Sequence, residues 1–417
     1  MTDVEGRVYM DCMCAAGTLA LGHNHPVVVD AIREHLNAGL PLQTLDITTP
    51  VKDEFVHELL ATLPEELASN ARIQFCSPSG ADAVEAALKL VKFATGQRTI
   101  IAFSGAYHGQ THGALALTGN PAGKVNGLMP DVHFQPYPYR YRCPMGKIPC
   151  NACQCGDHTA HQLCDPESGI SAQAGIILEV VQGEGGVVPC DDDWLRTIRG
   201  VATEREIPLI LDEVQTGWGR TGRMYAFEHA GVVPDVVVLS KAIGGGLPLA
   251  VVVYRADLDA WPSGAHAGTF RGNQLAMATG LATLRYIQEH DLCAHAGRMG
   301  ARFTQRLSGL KLRHSFVGDV RGRGLMLGIE IVNPEIRDRF GRPLGDGERA
   351  RRIQQECFRR GLLLELGGRN SAVLRLLPPL TITAAEVDAV CQSITDAMDA
   401  AFLDRAGEEA DLERALA

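Results

Sequence analysis

Short apolar runs that alternate with helical patterns constrain the fold of this chain more than any other feature. The runs are rich in β-branched residues and nearly continuous in apolar character, as expected for strands buried on both faces of a parallel sheet. Helical patterns cover Ala81–Thr95 and Asp191–Glu206. The alternation therefore predicts an α/β, doubly wound domain. The predicted strands are Arg72–Cys76, Thr99–Phe103, Gly175–Val181, Pro208–Leu211, Asp235–Leu239 and Leu249–Tyr254.

The pattern changes after Arg285, where helices and strands no longer alternate regularly. This region predicts a smaller α+β domain at the C-terminal end. Its predicted elements are a helical stretch over Gly272–Gly309, strands within Val317–Val332, a helix over Gly347–Arg360, a strand pair within Leu362–Leu377 and a helix over Ala384–Ala401. We predict three parts: an N-terminal segment over residues 1–45, a large cofactor-binding domain over 46–282, and the small domain over 283–417.

Composition excludes several classes of protein. Hydrophobic residues make up 46% of the chain and charged residues 21%, which is typical of a folded protein and excludes a largely disordered one. The net charge of −10 has the wrong sign for a general nucleic-acid binder. No stretch approaches the ~18 apolar residues of a membrane-spanning helix. The sequence MTDVEGRVYM lacks the apolar core of a secretory signal, so we expect a cytoplasmic enzyme with reduced cysteines.

Two charged residues follow predicted buried strands. Asp212 comes at the carboxyl end of Pro208–Leu211, where ligands of open α/β sheets gather. Its carboxylate is either a strand-end cap or a fixed negative charge that faces a cofactor. Lys241 ends another apolar strand, and Gly244–Gly246 follow it closely. In a cleft of low dielectric constant the pKa of Lys241 would be lowered, which would make it a nucleophilic amine for Schiff-base chemistry.

The segment SPSGADAVEAALKL predicts a strand end, a turn and a helix. Ser79, Gly80 and Ala81 would place a hydroxyl and backbone N–H groups at the helix N-terminus, where phosphates bind readily. Ser-Gly is also an ordinary helix start, so the turn alone carries little weight. A reactive lysine, an acid and a phosphate site together are what pyridoxal phosphate requires. Tyr107 would stack on the ring of this cofactor, and Gln215 would hydrogen-bond its ring oxygen.

The segments QGEGG, LDEVQTG and SKAIGGGLP resemble those of class III aminotransferases, which are fold type I pyridoxal-phosphate enzymes. The resemblance runs from DCMCAAGTLALGHNHP to LRLLPPLTIT. It implies a large domain with a mostly parallel, seven-stranded sheet, Lys241 as the Schiff-base lysine and Asp212 as the partner of the pyridine nitrogen. Thr269, in HAGTFRGNQ, would reach the phosphate across the interface of a homodimer or larger homo-oligomer. The implied cofactor-binding residues are Ser79, Gly80, Ala81, Tyr107, His108, Asp212, Gln215, Lys241 and Thr269.

The resemblance also bears on the substrates. Glu184 would pair with Arg375 when an ω-amine is bound, and Arg375 would be released to bind the α-carboxylate of 2-oxoglutarate. A salt bridge that only ties two domains together is the structural alternative for this pair. Enzymes for 4-aminobutyrate and acetylornithine often carry arginine where this chain has Gln110. Segments such as VNGLMPDVHFQPYPYRYRCP and LELGGRNSAVLRLLP instead resemble 2,4-diaminobutyrate:2-oxoglutarate 4-aminotransferases.

Transfer of the 4-amino group between 2,4-diaminobutyrate and 2-oxoglutarate, giving aspartate 4-semialdehyde and glutamate, is therefore the expected reaction. An ω-aminotransferase for another diamine or ω-amino acid, of the 4-aminobutyrate or ornithine type, remains an alternative, as does an amino-acid racemase of the same fold. A catalytically idle scaffold protein is a further alternative, against which the intact Lys241, Asp212, Gln215 and Arg375 count.

The segment CPMGKIPCNACQCGDHTAHQLC is unusually rich in cysteine. Thiolates and imidazoles are the preferred ligands of structural zinc. The spacing matches no standard zinc pattern, so reduced cysteines in a surface loop remain the alternative. The candidate zinc ligands are Cys150, Cys153, Cys155 and Cys164.

Overall fold

The computed structural model describes residues 1–124, 127–146 and 152–416, with side chains described from 154 to 401 in the last range. Its strands are β1 (Met10–Asp11), β2 (Ala71–Phe75), β3 (Thr99–Phe103), β4 (Val132–Gln135), β5 (Gln173–Leu178), β6 (Val181–Gln182), β7 (Val188–Pro189), β8 (Leu209–Asp212), β9 (Val236–Leu239), β10 (Val251–Arg255), β11 (Val317–Arg323), β12 (Met326–Arg337), β13 (Pro343–Gly345), β14 (Leu362–Leu363), β15 (Glu365–Gly367) and β16 (Val373–Leu376).

The helices range from single turns to the long helix at the end of the chain. They are α1 (Cys14–Gly17), α2 (Pro26–Asn37), α3 (Pro50–Ala61), α4 (Glu65–Ala68), α5 (Gly80–Thr95), α6 (His112–Leu117), α7 (Ala152–Cys164), α8 (Asp192–Glu204), α9 (Gln274–Glu289), α10 (Leu292–Ser308), α11 (Leu310–Arg313), α12 (Gly347–Arg359) and α13 (Ala384–Leu416). No helix in the described ranges combines the length and the apolar character that crossing a bilayer requires.

The large sheet has seven strands in the order β2-β10-β9-β8-β5-β3-β4. The five strands from β9 to β4 are parallel, and only β10 runs antiparallel to both of its neighbours. The predicted mostly parallel, seven-stranded sheet is confirmed. The sequence reading missed β4, a half-buried edge strand whose apolar signal is short. Asp212 and the residues after β9 lie at the same carboxyl edge, because β8 and β9 are parallel neighbours.

Both faces of the large sheet are covered, which explains the near-continuous apolar runs. Along β3, Ile100 and Ala102 pack with the apolar face of α5. Ile101 and Phe103 point the other way and pack with Trp194 of α8. Successive side chains of a strand point to opposite faces, so a strand that helices cover on both faces consists mostly of apolar residues.

The second sheet lies in the later part of the chain and is antiparallel. Its order is β11-β12-β16-β15, and β13 pairs with β12. The N-terminal segment joins this region because β1 pairs with β14, with Met10 opposite Leu362. The predicted boundary between residues 282 and 283 falls inside the continuous helix α9, and the division into three parts stays a prediction.

The helical stretch predicted over Gly272–Gly309 is two helices in the structure. Helix α9 ends at Glu289 and α10 begins at Leu292. Asp291 lies between them with a φ of +46°, a left-handed conformation that a continuous helix does not contain. The last helix continues to Leu416, beyond its predicted end at Ala401.

Candidate active site

Asp212 and His108 form a buried pair at the carboxyl edge of the large sheet. His108 Nδ1 lies 2.7 Å from Asp212 Oδ2, and both side chains are buried. Burial alone would lower the pKa of His108, but the hydrogen bond and the charge of Asp212 outweigh it and hold that pKa above its ordinary value. The backbone N–H of Val214 donates to the other oxygen of Asp212 at 3.1 Å. His108 thus fixes the orientation of the carboxylate.

Lys241 begins a short 3₁₀ helix, Lys241–Gly244, directly after β9 and Ser240. Asp212 lies opposite Val238 in the parallel ladder, three residues before this lysine. Burial lowers the pKa of Lys241, the charge of Asp212 opposes that shift, and Arg375 adds to it. Lys241 has a φ of +52°, so its backbone is in the left-handed region. A lysine with a lowered pKa has more of its amine in the neutral, nucleophilic form.

The N-terminus of α5 lies against both of these segments. Ser79 caps the helix and accepts a hydrogen bond from the backbone N–H of Asp82 at 3.2 Å. No described residue accepts a hydrogen bond from the backbone N–H groups of Gly80 and Ala81. A Cβ on Gly80 would stand 3.0 Å from a methyl of Val214 and 3.7 Å from the Cβ of Ser240. The free N–H groups therefore lie beside the residues that follow Asp212 and precede Lys241.

The loop that carries Tyr107 closes another side of the site. A Cβ on Gly109 would stand 2.5 Å from the Cβ of Ala81, so this loop touches the start of α5. The backbone N–H of Tyr107 donates to Glu179 at 2.9 Å, and the ring of Tyr107 is half-buried. Burial raises the pKa of Glu179 to about 7, although the N–H groups of Tyr107 and Gly183 oppose that shift.

Arg375 is fully buried, and its partners come from three segments. Its Nη1 donates to Glu184 Oε1 at 2.5 Å and lies 3.3 Å from Glu365 Oε2. Its Nη2 donates to Gln215 Oε1 at 3.2 Å. The amide nitrogen of Gln215 donates to Ala16 O at 2.9 Å, in the turn at the N-terminal end of the chain. The pair expected of Glu184 and Arg375 is present, with Glu365 as a second acid.

The segment that carries Thr269 lies near the start of α5. His266 Nε2 is 3.0 Å from Asp82 Oδ2, and a Cβ on Gly268 would stand 1.9 Å from the hydroxyl oxygen of Ser77. The side chain of Thr269 is exposed, and so is that of Phe270. Thr269 and Ser79 are therefore the two predicted cofactor-binding residues that are exposed on the single chain.

The four candidate zinc ligands cannot all bind one zinc ion. Cys155 is buried near the start of α7, and Cys164 is exposed at its end. Nine helical residues separate them by roughly 13 Å along the axis, whereas zinc holds each thiolate at about 2.3 Å, so both cannot bind one ion. Cys150 lies outside the described residues, as does the side chain of Cys153.

A cavity of about 730 Å³ opens beside these residues. Its walls include Tyr107 and Gln110 on one side and Glu184 and Arg369 on the other. Glu184 belongs to both the cavity wall and the ion pair with Arg375, so the cavity adjoins the buried site. A cavity of this size accommodates a small amino acid with space for water.

Sequence reasoning missed two acids of this site. Glu179 directly follows β5, at the same sheet edge as Asp212, and the overlong predicted strand Gly175–Val181 concealed it. A predicted strand that ended at Leu178 would have placed Glu179 at the carboxyl end of the strand, as Asp212 is. Glu365 lies opposite Arg375 in the β15–β16 ladder, and nothing in the sequence indicates that register.

The residues present fit pyridoxal phosphate, judged by their chemistry. The half-buried amine of Lys241 has a lowered pKa and, among the described residues, no hydrogen-bond partner. The carboxylate of Asp212 is fixed by His108, and two backbone N–H groups at the N-terminus of α5 are free to bind an anion. An aldehyde, a ring nitrogen and a phosphate each find a suitable group here.

Two solved structures that are similar to this chain are transaminases. A PLP-bound amine transaminase from an uncultivated Pseudomonas species superimposes with a TM-score of 0.87 and is 30% identical, covering 96% of this chain and 92% of its own. The ornithine aminotransferase of Toxoplasma gondii gives a TM-score of 0.79 and 25% identity, covering 97% and 89%. The fold is that of the fold type I transaminases.

The family is shown by sequence. The profile of Aminotransferase class-III matches residues 1–398. The diaminobutyrate--2-oxoglutarate aminotransferase of Rhizobium meliloti (strain 1021) is 55% identical over 414 residues, which cover 98% of this chain and 87% of that protein. The protein of the same name from Haemophilus influenzae (strain ATCC 51907 / DSM 11121 / KW20 / Rd) is 49% identical, covering 95% and 89%. The chain belongs to the class III aminotransferases, as its motifs predict.

Proposed function

We propose that this aminotransferase binds pyridoxal phosphate and moves the 4-amino group between L-2,4-diaminobutyrate and 2-oxoglutarate. The single observation that carries the proposal is the buried Arg375, held by Glu184 next to Lys241. The names of the similar proteins from Rhizobium meliloti and Haemophilus influenzae support the choice of substrates.

Lys241 is the proposed covalent anchor of the cofactor and the group that moves protons. Burial lowers its pKa, which favours the neutral amine that can attack an aldehyde and later accept a proton. Bound pyridoxal phosphate supplies an electron sink for the charge left when a carbon loses its proton. Asp212, held by His108, would keep the ring nitrogen protonated, and the N–H groups of Gly80 and Ala81 would bind the phosphate.

The remaining predicted residues are assigned around the ring. Tyr107 would stack on one face, since its loop touches the start of α5 through Gly109. Ser79 would add its hydroxyl to the phosphate site. Gln215 would orient toward the ring oxygen while its amide contacts Ala16 and Arg375.

Arg375 is the proposed switch between the two substrates. While the diamine reacts, Glu184 neutralises Arg375, and no carboxylate is required there. When 2-oxoglutarate enters, its α-carboxylate would form a bidentate pair with Arg375, and Glu184 would swing away into the cavity that it already lines. The side chain of Glu184 is 39% exposed whereas that of Arg375 is buried, so the acid is the member of the pair with room to move.

We also propose that the active form is a homodimer or a larger homo-oligomer in which Thr269 reaches the phosphate bound by a neighbouring copy. The exposure of Thr269 and Phe270 on the single chain supports this assignment, because both side chains face outward near the phosphate site.

The visible absorbance of the bound cofactor tests the substrates in two half-reactions. L-2,4-diaminobutyrate alone should bleach the absorbance, and 2-oxoglutarate should restore it, with glutamate and aspartate 4-semialdehyde as products. Bleaching by ornithine or 4-aminobutyrate instead would assign another ω-aminotransferase. Turnover without any 2-oxo acid would indicate a racemase.

Lys241→Ala tests the anchor. The variant should lose turnover yet still bind the cofactor non-covalently, since the phosphate site and Asp212 are unchanged. After borohydride reduction, the intact mass of the wild type should rise by one cofactor and that of the variant should not. Wild-type turnover by this variant would refute the assignment of Lys241.

A further inference from the structure

Arg369 is a cation in the wall of the cavity, and the substrate assignment leaves it without a role. It begins the turn Arg369–Ser371 between β15 and β16. Its guanidinium lies 4.9 Å from the ring centroid of Tyr139. It forms no hydrogen bond or ion pair with any residue in the parts of the chain that the structure describes. An arginine stays charged at any relevant pH, so among the described residues this charge has only aromatic support.

The neighbouring acids are already used by other arginines. Arg142 pairs with Glu330 at 2.5 Å, and Arg321 pairs with Glu330 at 2.7 Å and with Asp319 at 3.4 Å. Tyr139 also donates its hydroxyl hydrogen to Glu330. Three guanidiniums therefore face two carboxylates. The surplus positive charge belongs to Arg369, which is the member of the group that lines the cavity.

The cavity has two charged residues among its described lining, Arg369 and Glu184. The turn that holds Arg369 is tied to Glu184, because the N–H of Gly368 donates to the carbonyl of Glu184 at 2.8 Å. Arg369 Nη2 also lies 3.4 Å from where a Cβ on Gly105 would stand, so a glycine there leaves the guanidinium its space. Gln110, where related enzymes often carry a cation, lines the same cavity.

The two proposed substrates both carry a carboxylate three carbon–carbon bonds from the reacting carbon, and a cation can bind it. In L-2,4-diaminobutyrate, three carbon–carbon bonds separate the reacting C4 from the carboxylate carbon. In 2-oxoglutarate, three carbon–carbon bonds separate the reacting C2 from the distal carboxylate carbon. A reacting carbon held at one place in the site would therefore give both far carboxylates the same reach.

We propose that Arg369 binds the far carboxylate of both substrates, an inference that rests on the proposed function. Arg375 then serves the α-carboxylate of 2-oxoglutarate alone, while Arg369 serves each half-reaction in turn. The positive charge that related enzymes often place at the position of Gln110 would here come from the turn Arg369–Ser371. Arginine suits this task because its planar donors match a carboxylate.

Substrates with and without the far carboxylate test the proposal on the holoenzyme. The donor pair is L-2,4-diaminobutyrate and 1,3-diaminopropane, and the acceptor pair is 2-oxoglutarate and pyruvate. Arg369→Gln should lower kcat/KM for the member of each pair that carries the far carboxylate by about 10- to 100-fold, mainly through KM. It should leave kcat/KM for 1,3-diaminopropane and pyruvate unchanged. Arg369→Lys should recover part of the loss. Arg339→Gln, an exposed arginine over Phe340, is the matched control and should change nothing.

An equal loss for both members of each pair would overturn the proposal and make Arg369 a structural support of Tyr139. Unchanged kinetics in Arg369→Gln would overturn it as well. A wild type that rejects L-2,4-diaminobutyrate but uses 2-oxoglutarate would overturn the proposed donor, while the acceptor pair would still decide the role of Arg369. A wild type that uses neither would overturn both.

Discussion

The surroundings of Arg375 are compatible with its proposed role toward two substrates in turn. The buried guanidinium has Glu184, Glu365 and Gln215 as partners, so it is neutralised without any ligand. Removing one partner of a buried ion pair is expensive unless another group replaces it. A substrate carboxylate can replace Glu184 because Glu365 remains in place. Under the proposed function, the site would therefore accept a substrate end without a carboxylate as well as the α-carboxylate of 2-oxoglutarate.

Arg375→Ala should raise KM for 2-oxoglutarate by about 100-fold and KM for the diamine much less, because only the first is proposed to contact this residue. Steady-state kinetics with each substrate varied in turn measures the split. Arg375→Lys keeps a charge beside the two acids and guards against loss of the fold. Equal effects on both substrates would favour a salt bridge whose role is to join two parts of the structure.

Glu213 should make stability depend on pH. Its buried carboxyl accepts hydrogen bonds from Thr216 and from the N–H of Phe227, but burial raises its pKa to about 7. The folded protein thus binds a proton more tightly than the unfolded one, and the stabilisation present at low pH is lost as pH rises from about 4.5 to about 7. The wild type loses this stabilisation between pH 5 and pH 8, whereas Glu213→Gln has no carboxyl to ionise. The unfolding free energy of the variant minus that of the wild type should therefore increase by about 2 kcal/mol from pH 5 to pH 8.

Urea unfolding of the cofactor-free protein at both pH values measures this difference. Asp257, exposed on the surface, provides the matched control, because its hydrogen bond with Arg255 lowers its pKa. The unfolding free energy of Asp257→Asn minus that of the wild type should not increase from pH 5 to pH 8. A constant difference between wild type and Glu213→Gln across this pH range would contradict the prediction.

The positions of Asp212 and Lys241 at the sheet edge follow from the sequence more readily than the positions of the residues around them. Asp212 and Lys241 are recognisable because each ends a run that must be a buried strand, and parallel strands bring such ends together. Glu365 and Arg369 are not, because their places depend on the register of β15 with β16 and on a turn between them. Register follows from packing across the sheet, which local spacing does not contain.

At the level of elements, the packing of α9 against the turn that begins with Lys241 depends on one close backbone contact. A Cβ on Gly280 of α9 would stand 2.0 Å from the carbonyl oxygen of Ile243. Both partners are backbone, so neither can move aside like a flexible side chain. The glycine therefore lets the helix pack directly against the turn that begins with Lys241.

Gly280→Ala should destabilise the protein by about 2 kcal/mol and reduce turnover, because the turn over Lys241–Gly244 must shift. Gly297 is the matched control, since its added Cβ would meet nothing within 4 Å on α10. Gly297→Ala should stabilise the protein by about 0.5–1 kcal/mol through helix propensity. Thermal unfolding and turnover of both variants measure the contrast, and similar behaviour of the two would contradict the argument.

Helices and strands are predicted correctly from the sequence where their residues are fully buried, and the prediction fails where burial is partial. Strand Thr99–Phe103 is predicted with its observed bounds because all five residues are buried and the four after Thr99 are apolar. The half-exposed edge strand β4 lacks that signal. The division between α9 and α10 is also missed, because His290 and Asp291 are polar residues that an exposed helical surface would equally tolerate.

At the level of the whole molecule, exposed apolar side chains surround the segment that carries Thr269. We call them the Ile47–Phe270 surface. Backbone bonds join its two segments, with Thr44 N donating to Gly272 O at 3.1 Å and Gln274 N donating to Leu42 O at 3.0 Å. Exposed apolar groups gathered in one region typically mark an association site. The surface consists of Leu40, Leu42, Leu45, Ile47 and Phe270.

Ile47→Asp and Phe270→Asp should shift the protein toward a monomer, because each would place a charge within an apolar contact between copies. Sedimentation measures the mass, and the same samples should lose turnover and bind the cofactor more weakly, since Thr269 would no longer reach the neighbouring phosphate site. Leu312→Asp is the control: Leu312 is 94% exposed, more than Ile47 at 71% or Phe270 at 65%, yet it lies outside this surface. If all three variants keep both mass and activity, the site is complete within one chain, and Thr269 serves its own copy or none.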